Sequence, residues 1–362
     1  MGQLSSKTDF EWVYTEEPHA TRRKQILAKY PEVKDLFGAD RSMMIIVPLM
    51  FCFQMFMAWM LKDATWPFLI LCTYAISGTI NHSLFLAMHE NSHNTVFGYS
   101  SITFGRLFGC FINLATGFPI SVSFKKYHMD HHKFMGDEVY DTDIPSEFEC
   151  KLFNRTITKL LWIMLNPVFY TLRPLFGNPK PITIWEIGSF LLQVAFDLMI
   201  LKFFGPKSLF YIMLGTLLGI GIHPMTGHFI SEHYTFFTGQ QTTSYYGPLN
   251  YIAWNVGYHN EHHDFPWVSY RNLPKVAFDL MILKFFGPKS LFYIMLGTLL
   301  GIGIHPMTGH FISEHYTFFT GQQTTSYYGP LNYIAWNVGY HNEHHDFPWV
   351  SYRNLPKVTV YL

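Results

Sequence analysis

Three short histidine clusters hold the residues with which this chain could do chemistry. They are His89-Glu-Asn-Ser-His93, His128-Met-Asp-His131-His132 and His259-Asn-Glu-His262-His263. Residues three and four apart share a helix face, so each cluster aims two or three imidazoles at one point. Eight imidazoles aimed together can bind metal. Imidazole suits iron, zinc, copper and nickel alike, so the clusters alone do not name the ion. Their number narrows the choice, because a zinc site needs three or four protein ligands while eight histidines and one or two more would fill two metal positions. Two ions held by neutral nitrogen beside apolar helices suit oxygen activation on a lipid chain, which is work for iron.

The elements that must position these clusters are apolar. Of 362 residues 49% are hydrophobic and 18% aromatic, while 14% are charged, against about a quarter in soluble domains. The composition predicts an all-α integral membrane protein. Net charge is zero and no basic run exceeds Arg22-Arg23-Lys24, which argues against a nucleic-acid partner. Cys52, Cys72, Cys110 and Cys150 are scattered and read as small packing residues rather than bridges. Apolar runs over 43–61 and 66–88, and again over 182–204 and 208–227, predict four transmembrane helices in two hairpins. Each hairpin returns the chain to the side it left, so all three clusters fall on one face as a histidine-rich cap. Residues 1–42 form a polar N-terminal segment with seven cations and no apolar core, so no cleavable signal peptide is expected. The cations place that segment, and the cap with it, in the cytosol.

Several connecting segments carry their own expectations. Spacing of Ile26, Leu27, Tyr30 and Val33 predicts a helix over 21–36. The apolar stretch 103–122 is broken by Pro119 and cannot cross once if both flanking clusters serve one site, so it is expected to be re-entrant or interfacial. Pro167, Arg173 and Pro174 make 160–176 a poor spanning helix, and the acidic loop 137–143 reads as solvated. Asn81 and His82 lie inside a span, where a polar pair is expected to be hydrogen-bonded in the interior. Gly2 with Ser6 fits an N-myristoylation pattern, and Asn154-Arg-Thr156 is a glycosylation sequon on the side where it would stay bare.

Residues 194–276 recur without a change as 276–358, an offset of 82. Structural repeats drift, so one perfect copy fits a recent tandem duplication or an error in gene assembly. The chain therefore divides into the segment 1–42, a membrane domain over 43–276 with the three clusters, the copy over 277–358, and a tail, 359–362. Six of the 19 histidines (His305, His310, His315, His341, His344, His345) belong to the copy. Residues 277–286 repeat too little of a helix to span, whereas 290–309 repeat one in full. A single crossing would strand the copied cluster across the membrane, so the copy is expected to be surplus to function.

The spacing of the clusters resembles that of the membrane fatty-acid desaturase and hydroxylase superfamily. Longer stretches are similar to the sphingolipid delta-4 desaturases, the dihydroceramide desaturases. They include Asp9-Phe-Glu-Trp-Val-Tyr-Thr15, Lys24-Gln-Ile-Leu-Ala-Lys-Tyr-Pro31, Asn81-His-Ser83, His223-Pro-Met-Thr-Gly-His-Phe-Ile-Ser-Glu-His-Tyr234 and Asn255-Val-Gly-Tyr-His-Asn-Glu-His-His-Asp-Phe-Pro266. The likeness covers 1–275 and ends where the copy begins. It implies a four-span endoplasmic-reticulum protein with a cytosolic di-iron centre that uses O2 and takes electrons from NADH through cytochrome b5 and its reductase. The implied substrate is dihydroceramide, converted to ceramide, and some members also hydroxylate carbon four. Carried over by position, the eight cluster histidines would be iron ligands, joined by His228 or His233, which spacing cannot separate. Asn81, His82, Asp130, Glu261 and Asp264 are candidates for holding ligand rings from behind.

Two other classes compete. His89-Glu90-Asn-Ser-His93 matches the His-Glu-x-x-His pattern of zinc proteases, in which the glutamate is the base, but it leaves the other clusters without a role. A transporter using its histidines for protons or metal would be expected to show an inverted repeat, whereas this repeat is direct.

Overall fold

The computed structural model describes Thr15, residues 18–233 and 241–277, and a discontinuous set within 324–358. The described residues contain no strand, and their one isolated β-bridge pairs Phe37 with Val268. Two units result, Met1–Phe278 and Asp279–Leu362.

Helix α1 (His19–Lys29) opens the first unit and stops before Pro31, whose ring disfavours helical backbone in the residue ahead of it. A 3-10 turn, Pro31–Leu36, follows, so the helix expected over 21–36 is two pieces. Helices α2 (Met43–Met60) and α3 (Trp66–Ser92) form the first hairpin, with Pro67 in the first turn of α3, where no N–H is needed. Helices α4 (Ile102–Thr116) and α5 (Ser121–Phe134) meet at a 115° bend, as the re-entrant reading of 103–122 requires. Gly117 makes that bend with φ +76°, and a Cβ there would also lie 2.9 Å from Met213 Cγ. Asn113 ties the corner by accepting from the Ser121 backbone N–H (3.0 Å) and donating to Ser189 Oγ (3.0 Å).

After the short α6 (Glu147–Leu152), helix α7 (Thr156–Gly177) runs unbroken through Pro167 and Pro174 and is not among the candidate spans. Its amphipathicity is inverted. Trp162, Asn166 and Arg173 are buried, whereas Ile157, Leu160, Leu161, Met164, Val168, Leu172 and Leu175 are exposed. A helix with this pattern is suited to lipid on its outer face and polar contacts on its inner one.

Helices α8 (Ile184–Phe203) and α9 (Pro206–Gly219), whose apolar run continues to Phe229, form the second hairpin around Gly205 at φ +94°. The four helices predicted to span are therefore present as candidate membrane spans. Helices α2 and α8 expose Ile45, Leu49, Phe190 and Leu191, as lipid-facing surfaces should. Helix α9 crosses α3 at a π turn, Thr73–Gly78, which rotates Ser77 and Asn81 toward it. Ser77 donates to Tyr211 O (3.0 Å), while Asn81 donates to Ile212 O (3.0 Å) and Thr216 Oγ1 (2.8 Å). Only glycine fits the crossing: a Cβ on Gly215 would lie 1.9 Å from Ser77 Oγ, and one on Gly219 2.5 Å from the Gly78 carbonyl oxygen.

In the second unit the described helices are Pro330–Tyr333, His341–Asp346 and Leu355–Val358. The copied spans, His305, His310 and His315 lie outside the described residues, as does Gly2.

Candidate metal centre

The first cluster sits at the end of α3, the second on α5, and the third on the short helix α10 (His259–Asp264). Helical spacing turns each set of rings one way, and the α4–α5 bend brings the second set back over the first. Two groups result. One ring nitrogen from each of His89, His93, His128, His132 and His262 lies within 4.8 Å of the others, and the same holds for His131, His233 and His263. His259 adjoins the second group, with its Nε2 2.8 Å from His233 Nε2. All eight cluster histidines are in or beside these groups.

The donor set fits cations. His128 Nδ1 is 2.6 Å from Asp143 and His131 Nδ1 is 2.9 Å from Asp141. A carboxylate only accepts, so each Nδ1 carries the hydrogen and each Nε2 turns a bare lone pair toward its group. Nε2 atoms then face one another at 3.0 Å (His93 and His128) and 3.1 Å (His132 and both His128 and His262). Both ring nitrogens of His89, and Nε2 of His263, are buried without a hydrogen-bond partner. Converging buried lone pairs are costly unless a cation collects them. Charge points the same way. Burial, reinforced by the neighbouring rings, pushes His93, His259, His262 and His263 well below the usual imidazole range and His233 down to about 3. Neutral imidazole is the form that binds metal.

His228 and His233 separate here. His228 places Nε2 2.9 Å from His82 Nε2 and Nδ1 2.5 Å from Glu232, so both its nitrogens are engaged outside the two groups. His233 is in the second group. His82 also lies 2.6 Å from the Gly219 carbonyl oxygen, and Asn81 packs at the α3–α9 crossing, so this pair sits in a hydrogen-bonded interior away from the groups.

The carboxylates expected behind the rings are elsewhere. Asp130 pairs with Lys180 on the outer side of α5, and Glu261 accepts from Ser244 Oγ (2.6 Å) and Tyr246 OH (2.8 Å). Asp264 does hold a histidine, but it is His19 of the N-terminal segment (2.7 Å). Arg22 adds bonds of 2.6 and 2.8 Å to the same carboxylate, and Arg23 donates to the carbonyls of Asp264 and His263. Helix α1 thereby clamps the third cluster. Asp141 and Asp143 do the work assigned to those residues, so the loop 137–143 is not solvated where it matters: Asp141 is buried. Burial alone would raise both carboxyl pKa values, but His131 beside Asp141 and His128 beside Asp143 hold them below the usual range. The available signal was chemical: an oriented imidazole needs an acceptor behind it, and this loop follows the second cluster directly.

A cavity of about 740 Å3, counting its open mouth, adjoins both groups. His89, His128, His131, His233 and His259 line it together with Phe85, Phe124 and Phe229. A second hollow of about 550 Å3 shares His228 and Val256 with it.

The copied cluster has the same local fold and a different environment. Glu343 accepts from Ser326 Oγ (2.7 Å) and Tyr328 OH (2.9 Å), as Glu261 does from Ser244 and Tyr246, yet His344 and His345 are exposed where His262 and His263 are buried.

The family profile described as fatty acid desaturase matches residues 64–281 and again 277–362, and that described as sphingolipid delta4-desaturase matches 6–42. The chain is 53% identical over 276 residues to the sphingolipid delta(4)-desaturase DES1 of Xenopus tropicalis, which is 76% of this chain and 85% of the relative. The corresponding Homo sapiens protein is 50% identical over the same shares. A Caenorhabditis elegans relative, whose name pairs the delta(4)-desaturase with a C4-monooxygenase, is 51% identical over 76% of each chain. No solved structure matches. Identity at this level along most of both lengths, with two family profiles in register, shows that the chain belongs to the sphingolipid delta(4)-desaturases within the fatty acid desaturase family.

Proposed function

We propose that this chain introduces the trans double bond between carbons 4 and 5 of the long-chain base of dihydroceramide, giving ceramide. The balance is one substrate, one O2, two electrons and two protons to one ceramide and two waters, with the electrons drawn from NADH through cytochrome b5 reductase and cytochrome b5. One observation carries this reading: two groups of buried or half-buried histidines converge beside one aromatic-walled cavity. His89, His93, His128, His132 and His262 would hold one iron, and His131, His233, His259 and His263 the other. Bound there, the pair would supply oxygen activation and hydrogen abstraction from an unactivated carbon.

The side chains contribute positioning and exclusion. Phe85, Phe124 and Phe229 give the cavity flat apolar walls against which a methylene chain can lie, close to His89 and His131. Asp141 and Asp143 fix the ring orientations before substrate arrives. The location that fits is the endoplasmic reticulum membrane, with the histidine face and N-terminus cytosolic.

The worm relative's name supports hydroxylation of carbon four as a second outcome of the same site. The protease reading has less support. Glu90 is buried, accepts from Thr95 Oγ1 (3.0 Å) and the Tyr270 N–H (3.1 Å), and does not line the cavity, so it is badly placed to be a base for water.

The test is expression in a host lacking its own 4-desaturase, fed dihydroceramide, of the full chain and of a form ending at residue 276. Ceramide, with or without 4-hydroxylated product, is expected from both. Neither product from either form would overturn the proposal.

A further inference from the structure

The inner face of α7 holds polar groups, only one of which, Tyr170, bonds a carboxylate behind a clustered histidine. Trp162, Asn166, Tyr170 and Arg173 follow one another at helical spacing and all line the cavity beside the two histidine groups. Three of the four are satisfied by protein. Arg173 donates to both oxygens of Glu149 (2.7 Å each), Trp162 Nε1 donates to the same carboxylate (2.7 Å), and Tyr170 OH donates to Asp143. Asn166 differs. Its Nδ2 is fixed by the Ile220 carbonyl oxygen (3.2 Å), and its Oδ1 accepts nothing from the described residues although the side chain is buried. A buried amide oriented by one N–H on the Ile220 carbonyl, with its oxygen open, is poised for a hydrogen-bond donor that arrives from outside.

Substrate chemistry says what that donor should be. The reading rests on the function proposed above: the reacting carbons 4 and 5 of a long-chain base begin one bond from the carbon that bears the 3-hydroxyl. An enzyme that oxidised the middle of a long chain would keep the head group far from its metals. One that oxidises carbon 4 must hold the head group in the same compartment, and here a polar face and two histidine groups border one cavity. We propose that Asn166 Oδ1 accepts a hydrogen bond from the 3-hydroxyl of the long-chain base, and that this bond sets which carbons face the metal groups. Asn166 is a specificity residue in this account.

The experiment compares wild type, Asn166→Leu and Asn166→Asp on dihydroceramide and on its 3-keto analogue, which has an acceptor where the hydroxyl had a donor. Wild type should prefer dihydroceramide by about 10- to 100-fold in kcat/KM, the cost of leaving one buried polar group unpaired. Asn166→Leu should lose most of that preference and release products oxidised at neighbouring carbons. Asn166→Asp keeps an acceptor while losing the bond to Ile220 and should keep the preference. Iron content should be unchanged in both variants, since Asn166 touches no histidine of either group. If both variants lose activity equally on both substrates, or Asn166→Leu retains the full preference, the assignment is wrong. Wild type that leaves both substrates unoxidised would instead refute the desaturase reading itself.

Discussion

Replacing Asp143 with asparagine should weaken metal binding through a ring it orients rather than through a lost ligand. Asp143 accepts from His128 Nδ1 at 2.6 Å and from Tyr170 OH, and its side chain is 14% exposed. The carboxylate accepts on both oxygens; an amide accepts on one only. If the amide NH2 of the variant faced His128, the ring would have to carry its hydrogen on Nε2, where the metal needs a lone pair. If it faced Tyr170 instead, the hydroxyl would have to reverse and the charge that stabilises the ligand ring would still be gone. Losing a carboxylate behind a ligating histidine costs about 10- to 100-fold in metal affinity, equivalent to about 1.4–2.8 kcal/mol. Asp130→Asn is the matched control: it removes the same charge from the same helix-loop region, but from a pair with Lys180 on the outer surface. The assay is iron retained per chain during dialysis against a graded chelator, with ring environments followed in the same samples. Retention by Asp143→Asn within about twofold of wild type, or an equal loss in Asp130→Asn, would refute the reasoning.

Arg22→Ala should loosen the third cluster. Asp264 is buried and Arg22 one third exposed, so a loss of about 1–3 kcal/mol is expected, between the values for surface and buried pairs. An unchanged melting temperature in detergent would contradict the clamp. Gly215→Ala should destabilise by about 1–3 kcal/mol, because its Cβ would lie 3.1 Å from the Ser77 backbone as well as against Oγ. Gly188→Ala, which meets nothing within 4 Å, should be near neutral; equal melting of the two variants would remove the packing argument. Acid should destabilise the metal-free protein. His233 is held at about 3 and His259, His262 and His263 are lowered by burial, while unfolded imidazoles titrate near about 6.5. Between those values the unfolded chain binds more protons, so stability present above about pH 6.5 is lost as pH falls. An unfolding midpoint that is flat or rising from about pH 7 to about pH 5 would contradict it.

The sequence disclosed the hairpins and the clusters because both obey short rules. An apolar run of membrane length and imidazoles at helical spacing need no knowledge of the rest of the fold. What it hid depends on tertiary partners. Asp141 and Asp143 look like loop acids until the α4–α5 bend brings the second cluster among the other two. His19 stands in a polar segment with nothing to mark it, and it matters through Asp264, 245 residues away. Pro167, Arg173 and Pro174 marked 160–176 as a poor spanning helix, and α7 is not among the candidate spans, but nothing local showed that it would turn its polar residues inward. The duplicated stretch makes the distinction plainly. Residues 259–264 and 341–346 are identical, and both fold as a helix with the same glutamate contacts, but only the first copy has its histidines buried. Local sequence dictates the helix; neighbours supplied by α1, α3 and α5 turn it into a site.

The most direct measurement is the metal content of the purified chain, by elemental analysis per molecule, for the full protein and for a form ending at residue 276. Two histidine groups predict two irons in each. One ion per chain, zinc in place of iron, or a third ion present only in the full protein would contradict the account.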